Sequence, residues 1–288
     1  MSDRVDVRSV GLKAEAKVEA MYDSSRPGFV HASRKPEQRQ GWTELTFPSG
    51  LICTTNSSPI ETELMYNEIF EGREYLRSGI KLGDHDTIID VGANIGMFSM
   101  YLLTNLESPN VHAFEPVPDT FEALQQNMER YPRANVHLYN TGLGASADSS
   151  MAMTFFPNMT GNSTAHPEWK AAQRELLSKA FTSDELLVIY TSEEITVPST
   201  TLSNFIRKNA LDRIDLLKID AEGCEVDILN GIEAGHWSLI QQLAMEVHDE
   251  AKLLSTVINI VTTNGMKATV DDASRDPMGT VIMTAIRR

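Results

Sequence analysis

The chain has 288 residues, of which 41% are hydrophobic and 23% are charged, a balance typical of a globular protein with a sizeable core. Asp and Glu number 40 against 25 for Lys and Arg, so the formal net charge is −15. This charge argues against a nucleic-acid partner or an anionic membrane surface, because both bind basic faces. A neutral or cationic ligand fits better.

Cysteine content and apolar runs bear on the compartment. The two cysteines, Cys53 and Cys224, exclude a disulfide scaffold and a four-cysteine zinc site, and they suit a reducing cytosol. Residues 1–20 contain no apolar signal-peptide core, and no apolar run approaches the length of a spanning helix. We therefore expect a cytoplasmic protein without a membrane partner. The sequence leaves the oligomeric state open.

Taken in chain order, the pattern predicts an N-terminal extension followed by one α/β domain. Residues 1–60 are polar and interrupted by prolines, and we expect an extension or lid with a short helix near 10–21. An amphipathic helix is predicted from 61 to about 78. Short apolar runs then alternate with amphipathic segments that begin near Gly96, Pro118, Thr201, Cys224 and Asp249. The runs are 87–91, 111–115, 136–140, 216–220, 243–248, 267–270 and 280–285.

This alternation predicts a parallel sheet with right-handed crossovers. The last two runs have no helix between them, which predicts a hairpin at the sheet edge. Residues 149–200 break the rhythm, with one strand near 151–156, a second near 187–190 or 195–198, and a helix near 168–181. We interpret this stretch as a substrate-side insertion, so that 61–288 form a single domain.

A glycine-containing turn follows the first predicted strand, in the sequence TIIDVGANIG over 87–96. Gly92 and Gly96 let the backbone approach a ligand at the N-terminus of the next helix. Glu115 ends the next strand, where a carboxylate binds ribose hydroxyls. Asp90 would repel a pyrophosphate and favours a ligand with an ammonium and a sulfonium, as in S-adenosylmethionine.

A dinucleotide is the alternative ligand of this turn. The Rossmann fingerprint G-x-G-x-x-G lacks two of its three glycines here, because Asn94 and Met97 occupy those positions. An NAD-dependent oxidoreductase is therefore the less favoured alternative.

Three stretches resemble the FkbM-type S-adenosylmethionine-dependent methyltransferases, over about residues 60–250. They are IIDVGANIGMFSMYL, VHAFEPVPDTFEALQQNM and TTLSNFIRKNALDRIDLLKIDAEGCEVDILNGI. The resemblance implies an α/β fold of the class I methyltransferase (Rossmann-like) type, with a seven-stranded sheet whose last strand is antiparallel. It also implies an enzyme that methylates hydroxyl oxygens of natural products, including polyketides and sugars.

The same resemblance implies a set of residues that bind S-adenosylmethionine. The methionine part would lie on the glycine turn, the ribose on Glu115, and the adenine between Pro116 and residues 140–143. The full set of expected cofactor residues is Asp90, Gly92, Ala93, Asn94, Gly96, Glu115, Pro116, Gly142, Leu143 and Asp220.

Candidate catalytic residues follow two later strands, at the sheet edge where α/β proteins bind ligands. They are Asp220, Glu222, Glu246 and His248. An alcohol acceptor has a high pKa, so a general base helps methyl transfer, and His248 is our first candidate because imidazole titrates near working pH. Glu246 or Glu222 would orient its tautomer. The expected catalytic set is His248, Asp220 and Glu222.

A divalent metal is an alternative use of these residues, with Asp220, Glu246 and His248 as its ligands. Glu225 is interpreted as a helix-capping acid. Lys218 is expected to be structural, to pair with a carboxylate, and to face the opposite side of the sheet from Asp220. We expect the acceptor to be a small molecule with a hydroxyl, either free or tethered to a carrier protein. A nitrogen or carboxylate acceptor stays open.

Overall fold

A computed structural model describes residues 42–287 except 133, 148, 180, 249–252 and 276–278. The helix predicted near 10–21 lies outside the described residues. In chain order the elements are β1 (Thr43–Thr46), β2 (Ile52–Thr55), α1 (Pro59–Tyr66), β3 (Thr87–Val91), α2 (Met97–Asn105), β4 (Asn110–Phe114), α3 (Pro118–Met128), β5 (Asn135–Tyr139), β6 (Gly142–Leu143), β7 (Ser149–Phe155), α4 (Lys170–Leu177), α5 (Ser183–Ile189), β8 (Glu193–Thr200), α6 (Leu202–Asn209), β9 (Leu216–Ile219), α7 (Glu225–Asn230), β10 (Gln242–Val247), α8 (Leu254–Thr263), β11 (Met266–Asp271) and β12 (Val281–Arg287).

The main sheet has seven strands in the order β11-β12-β10-β9-β3-β4-β5. The pairs β10–β9, β9–β3, β3–β4 and β4–β5 are parallel, whereas β12 runs antiparallel to both β10 and β11. All seven predicted runs form its strands, and the terminal hairpin lies at the edge as expected. The predicted class I fold with an antiparallel last strand is confirmed.

Helices cover both faces of this sheet, because alternate residues of its central strands enter different parts of the core. Ile89 and Leu217 pack with residues of α6, α7 and α8, whereas Ile88 and Leu216 pack with residues of α2. All four side chains are fully buried. Strands that are buried on both faces read as continuous apolar runs, which is why the sequence predicted them well.

Two strands of the stretch interpreted as an insertion, β7 and β8, form a second, three-stranded sheet with β6, which precedes that stretch. Strand β8 pairs with β7 in antiparallel and with β6 in parallel orientation. The alternative strand near 195–198 is confirmed, and that near 187–190 is wrong. Those residues fall in and just after α5, which begins at a capping box between Thr182 and Glu185.

Residues 42–55 contain a hairpin, β1–β2, that the sequence did not predict. Its buried residues Leu45 and Cys53 pack with Leu124 and Met128 of α3. Asn127 of α3 also holds β2, because its amide donates to the carbonyl of Thr54 and its Oδ1 accepts from the Thr54 N–H. Within the described part of the chain, no helix is long and apolar enough to cross a membrane.

Candidate active site

The carboxyl ends of β3, β4, β9 and β10 surround a cavity of about 300 Å³. The strand order reverses between β3 and β9, which is where ligands of open α/β sheets bind. Residues of α1 and residues 159–163 of the insertion also line the cavity. Of the predicted site residues, all of which the structure describes, those on its wall are Gly92, Ala93, Asn94, Glu115, Pro116, Gly142, Leu143, Asp220, Glu222 and Glu246.

The glycine turn depends on one residue that must lack a side chain. Gly92 has a φ of +71°, and a Cβ at this position would lie 1.7 Å from the carbonyl oxygen of Asp220. Gly96 differs, because its Cβ would meet Leu124 of α3 at 2.6 Å. A glycine at position 96 therefore allows α3 to pack closely. Gly96 was expected in the cofactor site, but it does not line the cavity.

Asp90 was expected to face the cofactor, but its side chain lies beneath the glycine turn. Its carboxylate is fully buried, lies 3.1 Å from Nζ of Lys218, and accepts a hydrogen bond from Oγ of Ser99 at 2.8 Å. The Lys218 ammonium also donates to the carbonyl oxygen of Gly92 at 2.9 Å. Asp90 thus holds the backbone of the turn through Lys218.

Lys218 lies on the cavity wall, so its expected placement on the face opposite Asp220 is wrong. Residues two apart on a strand share a face, and Nζ of Lys218 is 3.8 Å from Asp220. The expected pairing with a carboxylate is confirmed. Burial alone would lower the pKa of Lys218, but Asp90 and Asp220 raise it above its usual value.

Glu115 ends β4 beside the glycine turn, and its carboxylate joins two neighbouring loops. One oxygen accepts the N–H of Asn94 and the other accepts the N–H of Val117, both at 2.9 Å. Burial raises the pKa of Glu115 to about 7, against the opposing effect of these two hydrogen bonds. Each oxygen keeps a lone pair that can accept from a ligand hydroxyl.

Two carboxylates and a phenol form the wall across the β9 and β10 ends. The hydroxyl of Tyr75 donates to Asp220 at 2.9 Å and lies within hydrogen-bond distance, 3.2 Å, of Glu246. Burial raises the pKa of Asp220, and burial followed by repulsion from Asp220 raises that of Glu246 well above its usual range. Asp220, Glu246 and His248 each offer one potential ligand atom, and these three atoms lie within 4.8 Å of one another. This group could therefore hold a divalent metal.

His248 lies behind this wall, among carboxylates. Its Nδ1 is 2.8 Å from Glu225, and its Nε2 is 3.3 Å from Glu222 and 3.9 Å from Glu246. Burial alone would lower the pKa of His248, but Glu222 and Glu225 raise it well above its usual range. Both ring nitrogens of His248 face carboxylates of the protein, so these contacts do not favour its expected role as general base.

The contacts of the two acids on either side of His248 differ from those that the sequence predicted. Glu225 is fully buried and binds Nδ1, so it orients the ring in the place of Glu246 or Glu222. Glu222 accepts a hydrogen bond from Nζ of Lys170 at 2.5 Å as well as facing His248. Burial would raise the pKa of Glu222, but Lys170 and His248 lower it to about 2. Glu222 is therefore a carboxylate held between two cations.

Comparison with known proteins identifies the family of this chain. The model of the methyltransferase FkbM domain matches residues 90–264. The chain belongs to the FkbM methyltransferase family. It is 37% identical over 249 residues to the 31-O-demethyl-FK506 methyltransferase FkbM of Streptomyces tacrolimicus, covering 81% of this chain and 91% of that protein. It is 33% identical over 221 residues to Methyltransferase 1 of Beauveria bassiana, covering 76% and 87% of the two chains.

A solved structure of a methyltransferase FkbM from Methylobacillus flagellatus also matches, with 16% identity and a TM-score of 0.48. That match covers 76% of this FkbM-family chain and 47% of the other.

S-adenosylmethionine is the cofactor of this FkbM-family enzyme, and the wall of the cavity fits it. Gly92 leaves space that a Cβ would fill, Glu115 would offer acceptors to ribose hydroxyls, and the apolar side chains of Leu143, Met151 and Met153 would suit the adenine. The excess of carboxylates on the wall suits a ligand with a sulfonium and an ammonium. The NAD-dependent alternative is wrong, because the family assignment fixes a methyltransferase.

Sequence reasoning missed three residues of the site. Tyr75 reaches Asp220 from 145 positions away, Lys170 reaches Glu222 from the insertion, and Glu61 lines the cavity from α1. A partial signal existed for Tyr75 and Glu61, because the amphipathic segment 61–78 precedes the first strand of the main sheet. Their pairings depend on tertiary contacts that no local pattern encodes.

Proposed function

We propose that this enzyme transfers the methyl group of S-adenosylmethionine to a hydroxyl oxygen of a small-molecule natural product or of its biosynthetic intermediate, such as a polyketide or a sugar. The arrangement of Asp220, Tyr75 and Glu246 on the cavity wall carries the proposal. The relative named 31-O-demethyl-FK506 methyltransferase supports it. A cytoplasmic location is part of the proposal.

An alcohol is a poor nucleophile until a base takes its proton during the displacement. Asp220 and Glu246 are better placed than His248 for that task, because both line the cavity. Burial raises the pKa of both acids, which makes each carboxylate a stronger base than a free one. Bound S-adenosylmethionine supplies an activated methyl carbon. The chain's own contribution is to align the hydroxyl with that carbon and to take the proton on a carboxylate oxygen of Asp220 or Glu246.

His248 and Glu222 act, in this proposal, as positioning residues. His248 contacts both Glu225 and Glu222, and Lys170 of α4 contacts Glu222 from the other side. Together these contacts fix one edge of the cavity. Tyr75 keeps Asp220 and Glu246 together, since its hydroxyl lies within hydrogen-bond distance of both. Without these contacts the two acids would be free to move apart.

The test is a transfer assay with S-adenosylmethionine carrying an isotopically labelled methyl group. The acceptors are a macrolide with free hydroxyls, a sugar with free hydroxyls and matched compounds in which an amine or a carboxylate replaces the hydroxyl. We expect label only on oxygen of the hydroxylated compounds, identified by mass spectrometry and NMR. Label on nitrogen or on a carboxylate would overturn the assignment. Acceptors tethered to a carrier protein form a further arm of the same assay.

A metal-assisted version of the reaction is the second candidate, because Asp220, Glu246 and His248 bring three ligand atoms together. A divalent cation there would lower the pKa of an acceptor hydroxyl. Extensive dialysis against a chelator, followed by the same assay with and without added Mg²⁺ or Mn²⁺, separates the two versions. Unchanged activity favours the carboxylate base alone, whereas loss and metal-dependent recovery favour the cation.

A further inference from the structure

A buried side-chain amide of the insertion, in a residue of the cavity wall, has a donor group without a hydrogen-bond partner. Asn162 is only 5% exposed and lines the cavity. Its Oδ1 accepts hydrogen bonds from Nζ of Lys170 at 3.3 Å and from Nε2 of Gln173 at 3.1 Å. Its Nδ2 has no hydrogen-bond partner in the protein. A buried donor without a partner is costly, and such groups in native proteins call for an explanation.

The orientation of this amide is fixed by its neighbours. The hydroxyl of Tyr190 donates to Oε1 of Gln173 at 2.9 Å, so Gln173 turns its NH₂ group toward Asn162. A flipped Asn162 would place its own NH₂ against the Gln173 NH₂ and the Lys170 ammonium, which have only hydrogens to offer. Two donors converging on Oδ1 therefore leave Nδ2 directed away from them.

The turn that carries Asn162 is attached to the glycine turn of the cofactor site. Oγ1 of Thr160 donates to Oδ1 of Asn94 at 3.2 Å. The buried carboxyl of Glu61 accepts the N–H of Thr160 at 3.1 Å and the N–H of Gly161 at 2.8 Å. The turn that carries the unpaired amide is thereby attached to Asn94, one of the residues assigned to the methionine part of S-adenosylmethionine.

We propose that Nδ2 of Asn162 donates a hydrogen bond to the carboxylate of the methionine part of S-adenosylmethionine. Acidic side chains outnumber basic ones on this wall, and an ionised carboxylate can only accept, so a ligand carboxylate needs a neutral or positive donor. The Asn162 amide supplies one that is already oriented. The insertion, expected to lie on the substrate side, then forms part of the cofactor site. This inference rests on the family's cofactor and not on the identity of the methyl acceptor.

Calorimetric titration tests the inference with two ligands. One is S-adenosylhomocysteine, and the other is its decarboxylated analogue, which keeps the amine and the nucleoside. We expect the wild-type protein to bind S-adenosylhomocysteine at least about tenfold more tightly than the analogue, since a charge-assisted hydrogen bond is lost. Equal binding of both ligands by the wild-type protein overturns the inference without any variant.

The decisive variant is Asn162→Asp, which keeps the oxygen that Lys170 and Gln173 bind and replaces the donor by a charged acceptor. We expect its affinity for S-adenosylhomocysteine to fall by at least about tenfold, and its affinity for the analogue to stay within about twofold. Bound analogue also shows that the variant is folded. Equal loss for both ligands, or no loss for either, contradicts the inference.

A matched control lies on the same loop. Asn158 is exposed, and its amide donates to the carbonyl of Val188 outside the cavity. Asn158→Asp adds the same charge, and we expect no change in affinity for either ligand. Failure of this inference leaves the proposed O-methylation intact, because the transfer assay reads the acceptor and these titrations contain none.

Discussion

Nδ1 of His248 lies 2.8 Å from a carboxylate oxygen of Glu225, which joins the end of β10 to the first residue of α7. Glu225 also accepts the N–H of Gly223 at 3.0 Å. These contacts hold the turn between β9 and α7, in which Glu222 and Gly223 both have positive φ, at 49° and 101°. One buried carboxylate therefore fixes the imidazole and shapes the turn that carries Glu222.

We predict that Glu225→Gln lowers the free energy of unfolding by about 1.5–3 kcal/mol, the usual contribution of a hydrogen bond to a charged group. Urea denaturation at neutral pH measures it. The control is Glu233→Gln, which removes an exposed partner of Arg207 and should leave the denaturation midpoint nearly unchanged. Similar midpoints for both variants would show that the Glu225–His248 contact is not a stabilising one.

Gly92 gives a second prediction. Gly92→Ala places a Cβ 1.7 Å from the carbonyl of Asp220 at a φ of +71°, so the glycine turn and the β9 end must separate. We expect loss of S-adenosylhomocysteine binding by at least about tenfold and a lower midpoint in thermal unfolding. Gly235→Ala is the control, because an added Cβ there has no atom within 4 Å. Wild-type affinity in Gly92→Ala would contradict the close packing of this turn.

The buried carboxyl of Glu61 predicts a pH dependence of stability. Burial raises its pKa from 4.5 to about 8, although the N–H groups of Gly161 and Thr160 oppose this. Between these two values the folded protein holds a proton that the unfolded chain releases. The free energy of unfolding therefore decreases as the pH rises from about 4.5 through about 8, by at most about 5 kcal/mol, and levels off above that.

Urea denaturation from pH 5 to pH 9 checks this dependence by comparing the wild-type protein with Glu61→Gln, whose amide stays neutral throughout. We expect the variant to lose less stability over this range. Glu71→Gln, at an exposed position, should follow the wild-type profile. Parallel curves for the wild-type protein and Glu61→Gln would mean that Glu61 does not titrate in this window.

The sequence predicted the fold better than the site, and the reason is physical. Burial on both faces makes the strands of the main sheet continuous apolar runs, and the glycine turn needs Gly92 for a local steric reason, so both leave local signals. The role of Glu225 was misread because an acid at a helix start is ordinarily a cap. Glu225 and His248 are 23 residues apart in the sequence. Nothing in that spacing predicts that their side chains are in contact.

The position of a residue on a strand predicted only some of the side chains that face the cavity. The rule that ligands bind at the carboxyl ends of parallel strands placed Asp220 and Glu246 at the cavity, which both line. The rule that residues two apart on a strand share a face should have placed Lys218 beside Asp220. Asp90 faces the interior, although the sequence alone suggested a carboxylate at the mouth of the turn. Whether a strand-end side chain points into the cavity or beneath it depends on the partner across the sheet, here Lys218 of β9.

The ion pair of Lys218 and Asp90 gives the last prediction. Both side chains are buried, so removal of one partner leaves a charge without compensation. We expect Lys218→Met to lower the free energy of unfolding by about 3–5 kcal/mol. The double variant Lys218→Met with Asp90→Asn should recover part of that loss, because the amide carries no charge to leave unpaired. Arg213→Met, which removes an exposed partner of Asp215, should cost less than about 1 kcal/mol. If the double variant is no more stable than Lys218→Met, then the cost comes from lost contacts of Lys218 with Gly92 and not from an unpaired Asp90.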